Sequence, residues 1–227
     1  MDGFKNLKES RILRTTSVLY DDVYWEEYWH KRFNVSYSKN DPSVIAENEK
    51  KLMWTQNLFH IPSGSLLDVG CSFGYFVSFL RDRGWNAQGI DCSDYALERA
   101  EADTKPFLHK GLSSSLPFGD KTFDVVTCFD VLEHLYIEEI MATVEEIKRV
   151  CKDAILIKLP AWGFIGEMEV INSSFGSLDK SHVSVYPWEF WARRFHGDDF
   201  YFLNASLWRG DDGRGVATEA WISFRRR

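Results

Sequence analysis

The spacing of hydrophobic and polar positions changes along the chain, and the middle third is the most regular. Short apolar runs at 65–69, 86–90, 123–129 and 154–159 read as buried strands, with a weaker one at 106–110. Between them lie stretches with helical spacing. In 75–83, Phe76, Phe79 and Leu80 share one face and Gly84 marks the stop. Ser93 can cap a helix over 94–102. The clearest helix is 137–150, with Ile137, Ile140, Met141, Val144 and Ile147 on one stripe and Glu138, Glu139, Glu145 and Glu146 elsewhere. Strand and helix alternate, which predicts a parallel sheet with helices on both faces.

The flanks follow other patterns. A turn at Asn40-Asp41-Pro42-Ser43 precedes a helix predicted over 44–59, with Ile45, Leu52 and Phe59 on one stripe. Residues 24–33 have the spacing of a helix with an aromatic face. At the other end, 188–195 reads as a helix. Two strands, 199–206 and 217–224, are joined by a Gly/Asp-rich loop at 209–215 and predict an antiparallel hairpin that closes the sheet edge. The expected fold is α/β: a doubly wound, mostly parallel seven-stranded sheet with an antiparallel C-terminal hairpin.

Aromatic residues make up 15% of the 227 and gather before Phe33 and after Trp162. They predict a helical, aromatic-rich lid or extension over 1–60 on a ligand-binding domain over 61–227, with 161–198 as a substrate-side insertion. The formal net charge is −7, which disfavours nucleic acid or anionic lipid as partner. Cys71, Cys92, Cys128 and Cys151 show no metal-ligand spacing, so no metal is expected, and they read as reduced, mostly buried thiols of a cytoplasmic protein. The opening Met1-Asp2-Gly3-Phe4-Lys5 lacks the apolar core of a signal peptide, and no apolar run approaches the roughly 18–20 residues of a membrane span. Secreted, disulfide-framed and integral-membrane classes are therefore not expected.

The sharpest local signal is Leu66-Leu67-Asp68-Val69-Gly70-Cys71-Ser72-Phe73-Gly74, a buried strand running into a Gly-bearing turn before a helix. Such a turn lets the backbone approach a ligand. Asp91 ends the next strand, where a carboxylate can accept from both hydroxyls of a ribose. The dinucleotide fingerprint G-x-G-x-x-G is not matched by Gly70, Ser72 and Gly74. A carboxylate at Asp68 also suits a positively charged ligand better than a phosphate.

Asp68-Val69-Gly70-Cys71-Ser72-Phe73-Gly74 resembles motif I of the class I S-adenosylmethionine-dependent methyltransferases, with Ser72 in place of the middle glycine. Gly89-Ile90-Asp91-Cys92-Ser93 resembles their second motif. Leu116-Pro117-Phe118, with Phe123-Asp124-Val125-Val126, is similar to the block before and into their fourth strand. Asp130-Val131-Leu132-Glu133-His134 matches the V-L-E-H that follows that strand in many small-molecule members. The resemblance covers 65–160 and implies S-adenosylmethionine as cofactor. It implies that Gly70, Ser72 and Gly74 pass under the methionyl part, that Asp68 orients the loop or reaches the amino group, and that Asp91 takes the ribose hydroxyls. Cys92 would lie along the adenine, Leu112 and Ser113 would replace the usual acidic contact there, and Phe129 would offer its carbonyl. The P-G-G turn usual before the fifth strand is replaced by Cys151-Lys152-Asp153.

Methyl transfer to oxygen or nitrogen can require a base. His134 and His182 are the candidates, with Glu133 and Asp130 behind them; either histidine can also serve only to cap or pack. No D/N-P-P-[YFW] tetrapeptide follows the fourth strand, which disfavours nucleic-acid and protein amino groups as acceptors. The expected acceptor is a small molecule or glycan, such as a sugar or natural-product intermediate. A non-catalytic partner subunit of the same fold and, further off, a nicotinamide oxidoreductase are the alternatives.

Overall fold

The structure is a computed structural model and describes residues 20, 24, 38–160, 182–211 and 216–227. Its centre is the pair of strands whose side chains are buried on both faces, β1 (Ser65–Val69) and β4 (Phe123–Phe129). Beside β1 lie β2 (Asn86–Asp91) and β3 (Leu108–Lys110), and beside β4 lies β5 (Cys151–Pro160), all parallel. β6 (Phe200–Asp211) and β7 (Val216–Arg226) form the hairpin. The order is β3-β2-β1-β4-β5-β7-β6, with β7 antiparallel between β5 and β6. Successive connections leave β1 toward one edge and β4 toward the other. That makes the C-terminal ends of β1 and β4 the switch point at which such sheets open a crevice.

The strand period of two divides the core. Leu67, Val69, Val126, Cys128, Ile155 and Ile157 face one layer, which holds α4 (Ile137–Val150) and α5 (Trp188–Phe195). Leu66, Val125, Ala154 and Leu156 face the other, with α1 (Pro42–Phe59) and α2 (Tyr75–Arg81). Both faces are apolar, as expected of a parallel sheet covered on both sides. Asp41 caps α1 by accepting from the Ser43 amide, Pro42 starts the helix, and His60 ends it at φ 52°.

Several expectations shift. α3 (Asp94–Glu98) stops four residues short of 102. Arg99 and Ala100 bond back to Ala96 and Leu97 in a tightened i to i−3 turn, and the Lys105 ammonium takes the Glu98 carbonyl. On α4, Ile137 and Met141 are exposed, and Thr143 and Val150 join Ile140, Val144 and Ile147 in the buried stripe. Ile45 is likewise exposed on α1, although Phe59 is buried. β5 begins at Cys151, so Cys151-Lys152-Asp153 is strand and not a loop. Cys151 closes the helix through its N–H to the Ile147 carbonyl and pairs with Phe123 at once. Both hairpin strands are longer than expected, and residues 212–215 lie outside the described set. Of the expected aromatic helix over 24–33 only Tyr24, which is buried, is described; Trp162 and Phe164 also lie outside. No helix among the described residues is long and apolar enough to cross a membrane.

Candidate active site

The loop after β1 is held to the end of β2 by its own backbone. Gly70 and Cys71 both donate to the Ile90 carbonyl, at 2.8 and 3.1 Å, and Gly74 donates to the Cys71 carbonyl. Gly70 has φ +79°, and a Cβ there would lie 2.1 Å from Val131 Cγ2. Glycine is therefore required both by backbone conformation and by close approach to the β4 loop. Ser72 adopts φ 52° and Asp130 φ 55°, so left-handed non-glycine residues stand on both sides of the crevice.

Asp91 clamps the loop. One carboxylate oxygen accepts the Ser72 amide at 2.7 Å and the other the Ser93 amide at 2.8 Å. Burial raises its pKa, partly offset by those amides. Each oxygen retains acceptor capacity for a further donor. Cys92 sits half-buried beside it, its thiol pushed up to about 12 by burial and by the Asp91 charge, so it presents a neutral apolar surface. Leu112 is exposed at the mouth of the loop after β3, while the Ser113 hydroxyl is 3.0 Å from that of Thr143 on α4.

Asp68 faces the crevice from β1. Register opposite Thr127 gives it that hydroxyl as donor at 2.8 Å. Burial raises its pKa from 3.8 to about 6 against the lowering effects of Lys51 and the Thr127 hydroxyl. Lys51 comes from α1, with its ammonium 5.0 Å from the Phe129 ring centre and 5.5 Å from that of Phe76. Its own pKa is lowered by burial and by the neighbouring Lys158 charge. Lys158, 6% exposed in β5, binds Glu47 and Asp130 at 2.8 Å each. Burial works against that charge, but Asp130 and Glu47 outweigh it and hold the ammonium up. Sequence reasoning missed Lys51, Lys158 and Thr127. The available signal was Lys158 itself, a charge inside the apolar run Ile155-Leu156-Ile157-Lys158-Leu159.

Glu133 and His134 do not start a long helix. They belong to a separate 3₁₀ turn, Leu132–His134, ahead of α4. The Glu133 side chain is 1% exposed, and its carbonyl accepts from both Val183 and Ser184 at 2.9 Å. That pair of bonds pins the neighbouring His182 against the turn. The two imidazoles lie 4.8 Å apart between ring centres, and each Nε2 is 4.0 Å from the same Glu133 Oε1. Tyr20 meets His134 edge-on at 5.8 Å, and its carbonyl accepts the Ser93 hydroxyl at 2.5 Å. One residue of the N-terminal stretch thus touches both the Asp91 side and the histidine side of the crevice.

Residues 67–156 match the family model described as a methyltransferase domain. The chain carries a class I S-adenosylmethionine-dependent methyltransferase domain. It is 29% identical over 135 residues to a ubiquinone biosynthesis O-methyltransferase of Albidiferax ferrireducens, covering 56% of this chain and 50% of that one. It is 35% identical over 88 residues to an uncharacterised protein of Methanocaldococcus jannaschii, covering 39% and 36%. The chain thus spans half or less of the length of these curated relatives. In fold it is similar to the magnesium protoporphyrin IX methyltransferase of Synechocystis, solved with S-adenosylhomocysteine bound (TM-score 0.67, 15% identity, 92% and 99% of the two chains). The antiparallel β7 inserted beside β5 also sets this methyltransferase sheet apart from the 3-2-1-4-5-6 dinucleotide sheet.

The residues of the methyltransferase domain fit its cofactor, S-adenosylmethionine. Ser72 Oγ is buried in the glycine loop and has no hydrogen-bond partner among the described residues, so the cradle holds an unused polar atom. Asp91 ends β2 with acceptor capacity to spare. Asp68 is a buried carboxylate whose raised pKa means that its charge is undercompensated by the protein, which suits a cationic amino group.

Proposed function

We propose that this chain transfers the methyl group of S-adenosylmethionine to a hydroxyl oxygen of a small molecule, with sugars and natural-product intermediates as the acceptor class. The observation that carries the reading is the gathering of Glu133, His134 and His182 just past Val131, the residue that packs on Gly70 of the cofactor loop. The cofactor supplies an electrophilic methyl on a sulfonium. Around it, Asp91 receives the ribose hydroxyls, Cys92 and Leu112 flank the adenine, and Ser113 marks the edge of that pocket. Asp68 takes the α-amino group and Phe129 offers its carbonyl to the same group. Lys51 reaches toward the methionyl carboxylate. The acceptor hydroxyl would enter at the Glu133–His134–His182 end and pass its proton through that cluster to water, while the cofactor would supply the methyl group to its oxygen. Alignment of the two reactants is worth up to about 7–11 kcal/mol, and deprotonation adds about 10²–10⁴-fold.

Of the expected lid over 1–60 and substrate-side insertion over 161–198, the described residues Tyr20 and His182 stand at this end of the crevice, and 161–181 lie outside the described set. The Tyr20 contact to His134 supports the first assignment and the pinning of His182 the second. The curated relatives named as O-methyltransferases favour oxygen over nitrogen as the accepting atom. The test is thermal stabilisation by S-adenosylmethionine and S-adenosylhomocysteine but not by NAD, followed by a panel of hydroxylated small molecules read by S-adenosylhomocysteine release. Asp91→Ala should abolish the shift. Absence of stabilisation by either sulfur nucleotide in the wild-type chain would sink the proposal.

A further inference from the structure

We propose that Glu133, His134 and His182 bind one divalent transition-metal cation of the zinc, manganese or ferrous class at the acceptor end of the crevice. The three side chains each offer one donor atom, and these atoms lie within 4.8 Å of one another. Both imidazole Nε2 atoms are 4.0 Å from the same carboxylate oxygen, beyond hydrogen-bond reach. Two metal–ligand bonds of about 2.0–2.2 Å meeting at one cation leave their donor atoms roughly 3–4 Å apart, depending on the angle between them. The observed spacing is therefore that of ligands around a cation, to within a small closing movement.

The donor chemistry selects the metal. Two imidazole nitrogens and one carboxylate oxygen suit zinc, manganese and iron; magnesium and calcium prefer all-oxygen sets. The site is built before any cation arrives. The 3₁₀ turn sets Glu133 next to His134, and the Glu133 carbonyl holds the backbone of Val183 and Ser184, next to His182. Asp130 is not a fourth ligand, because its carboxylate binds Lys158. Among the described residues the protein offers three ligands, the number found in catalytic sites that keep a position for water or substrate. One carboxylate and two neutral imidazoles with a divalent cation carry a net charge of +1. The site would take the acceptor hydroxyl as a bound alkoxide or phenolate at neutral pH, its proton leaving to water. That role rests on the methyl-transfer reading, while cation binding itself does not. Cysteine spacing gave the expectation of no metal; these ligands come instead from two distant histidines that only the fold unites.

The experiment uses the full chain, stripped with EDTA, titrated with Co²⁺ by visible absorption and with Zn²⁺ and Mn²⁺ by calorimetry. S-adenosylhomocysteine binding is measured on the same samples. One equivalent of Co²⁺ should bind with d–d bands and be displaced by Zn²⁺. His134→Ala, His182→Ala and Glu133→Gln should each weaken binding by at least about tenfold, the floor seen when even outer-shell partners are lost. His109→Ala and His196→Ala should leave it unchanged. If the buried Glu133→Gln variant fails to fold, the half-buried His182 still decides the matter. No stoichiometric cation in a wild-type chain that binds S-adenosylhomocysteine would overturn this inference alone. Undiminished binding in the His134→Ala/His182→Ala double variant would do the same. Cation binding without nucleotide binding would uphold it and overturn the methyl-transfer reading.

Discussion

Asp68 titrates near neutrality because burial outweighs the help it receives. Its pKa stands at about 6 against an ordinary 3.8, even with the Thr127 hydroxyl at 2.8 Å and Lys51 nearby. An acid whose folded pKa is raised binds its proton more tightly in the folded state. Its contribution to stability is therefore fully present below about pH 3.8 and is lost as pH rises through 6. At pH 7 the ionised form costs the free protein about 3 kcal/mol. Asp68→Asn should accordingly raise the melting temperature of the nucleotide-free protein at pH 7, because the amide oxygen can still accept from Thr127. It should also weaken S-adenosylhomocysteine binding. Wild-type affinity should fall as pH drops below 6, and the variant should lack that dependence. Calorimetry at pH 5, 6 and 7.5 checks both, and a lower melting temperature with unchanged affinity would remove Asp68 from the cofactor site. Asp68 and Asp91 stood out in the sequence because each lies at or next to the end of a strand before a turn. Lys51 was not, because a long side chain reaches across an interface that helical spacing does not describe.

At the scale of elements, the glycine loop works because two strand ends fit against each other. Gly70→Ala would force a side chain into a left-handed residue and place its Cβ 2.1 Å from Val131 Cγ2. Strain and overpacking together should destabilise the fold by roughly 2–4 kcal/mol. Val131→Ala in the same chain should recover the packing share but not the backbone share, a partial rescue measurable by urea denaturation. Full rescue would show that φ at Gly70 carries no cost. Complete absence of rescue would mean that the Val131 contact does not matter. β4, α4 and α5 were legible to the residue because their apolar periods are long and strongly bounded. The end of α3 was not, since its tightened final turn keeps a helix-like pattern at Leu97 and Ala100. The 3₁₀ turn at Leu132–His134 was missed for a related reason. Three residues are too few to show a period, and their geometry is set by the neighbours that pack on them.

Across the whole molecule, the hairpin, the sheet and α1 meet at Lys158. The strand residue is paired with Glu47 of α1 and with Asp130 at the end of β4, and its ammonium lies 5.7 Å from the ring centre of Trp221 on β7. Asp130 also donates its amide to the Lys158 carbonyl at 2.8 Å. One buried cation thus joins the helix that carries Lys51 to the loop that carries Glu133 and His134. Lys158→Met keeps the apolar stem and removes the charge. Loss of one partner of a fully buried pair costs about 3–5 kcal/mol, but Glu47 and Asp130 are partly exposed and can turn to water, so about 1–3 kcal/mol is expected here. Glu47→Gln alone should cost less, and the double variant should cost little more than Lys158→Met. A coupling energy above about 0.5 kcal/mol in that cycle would identify a real link and not two independent losses. S-adenosylhomocysteine affinity should fall in step with the coupling, because α1 then no longer holds Lys51 over Phe129. Strict additivity with unchanged affinity would mean that α1 is held by its apolar contacts alone and that the lysine serves only its own strand.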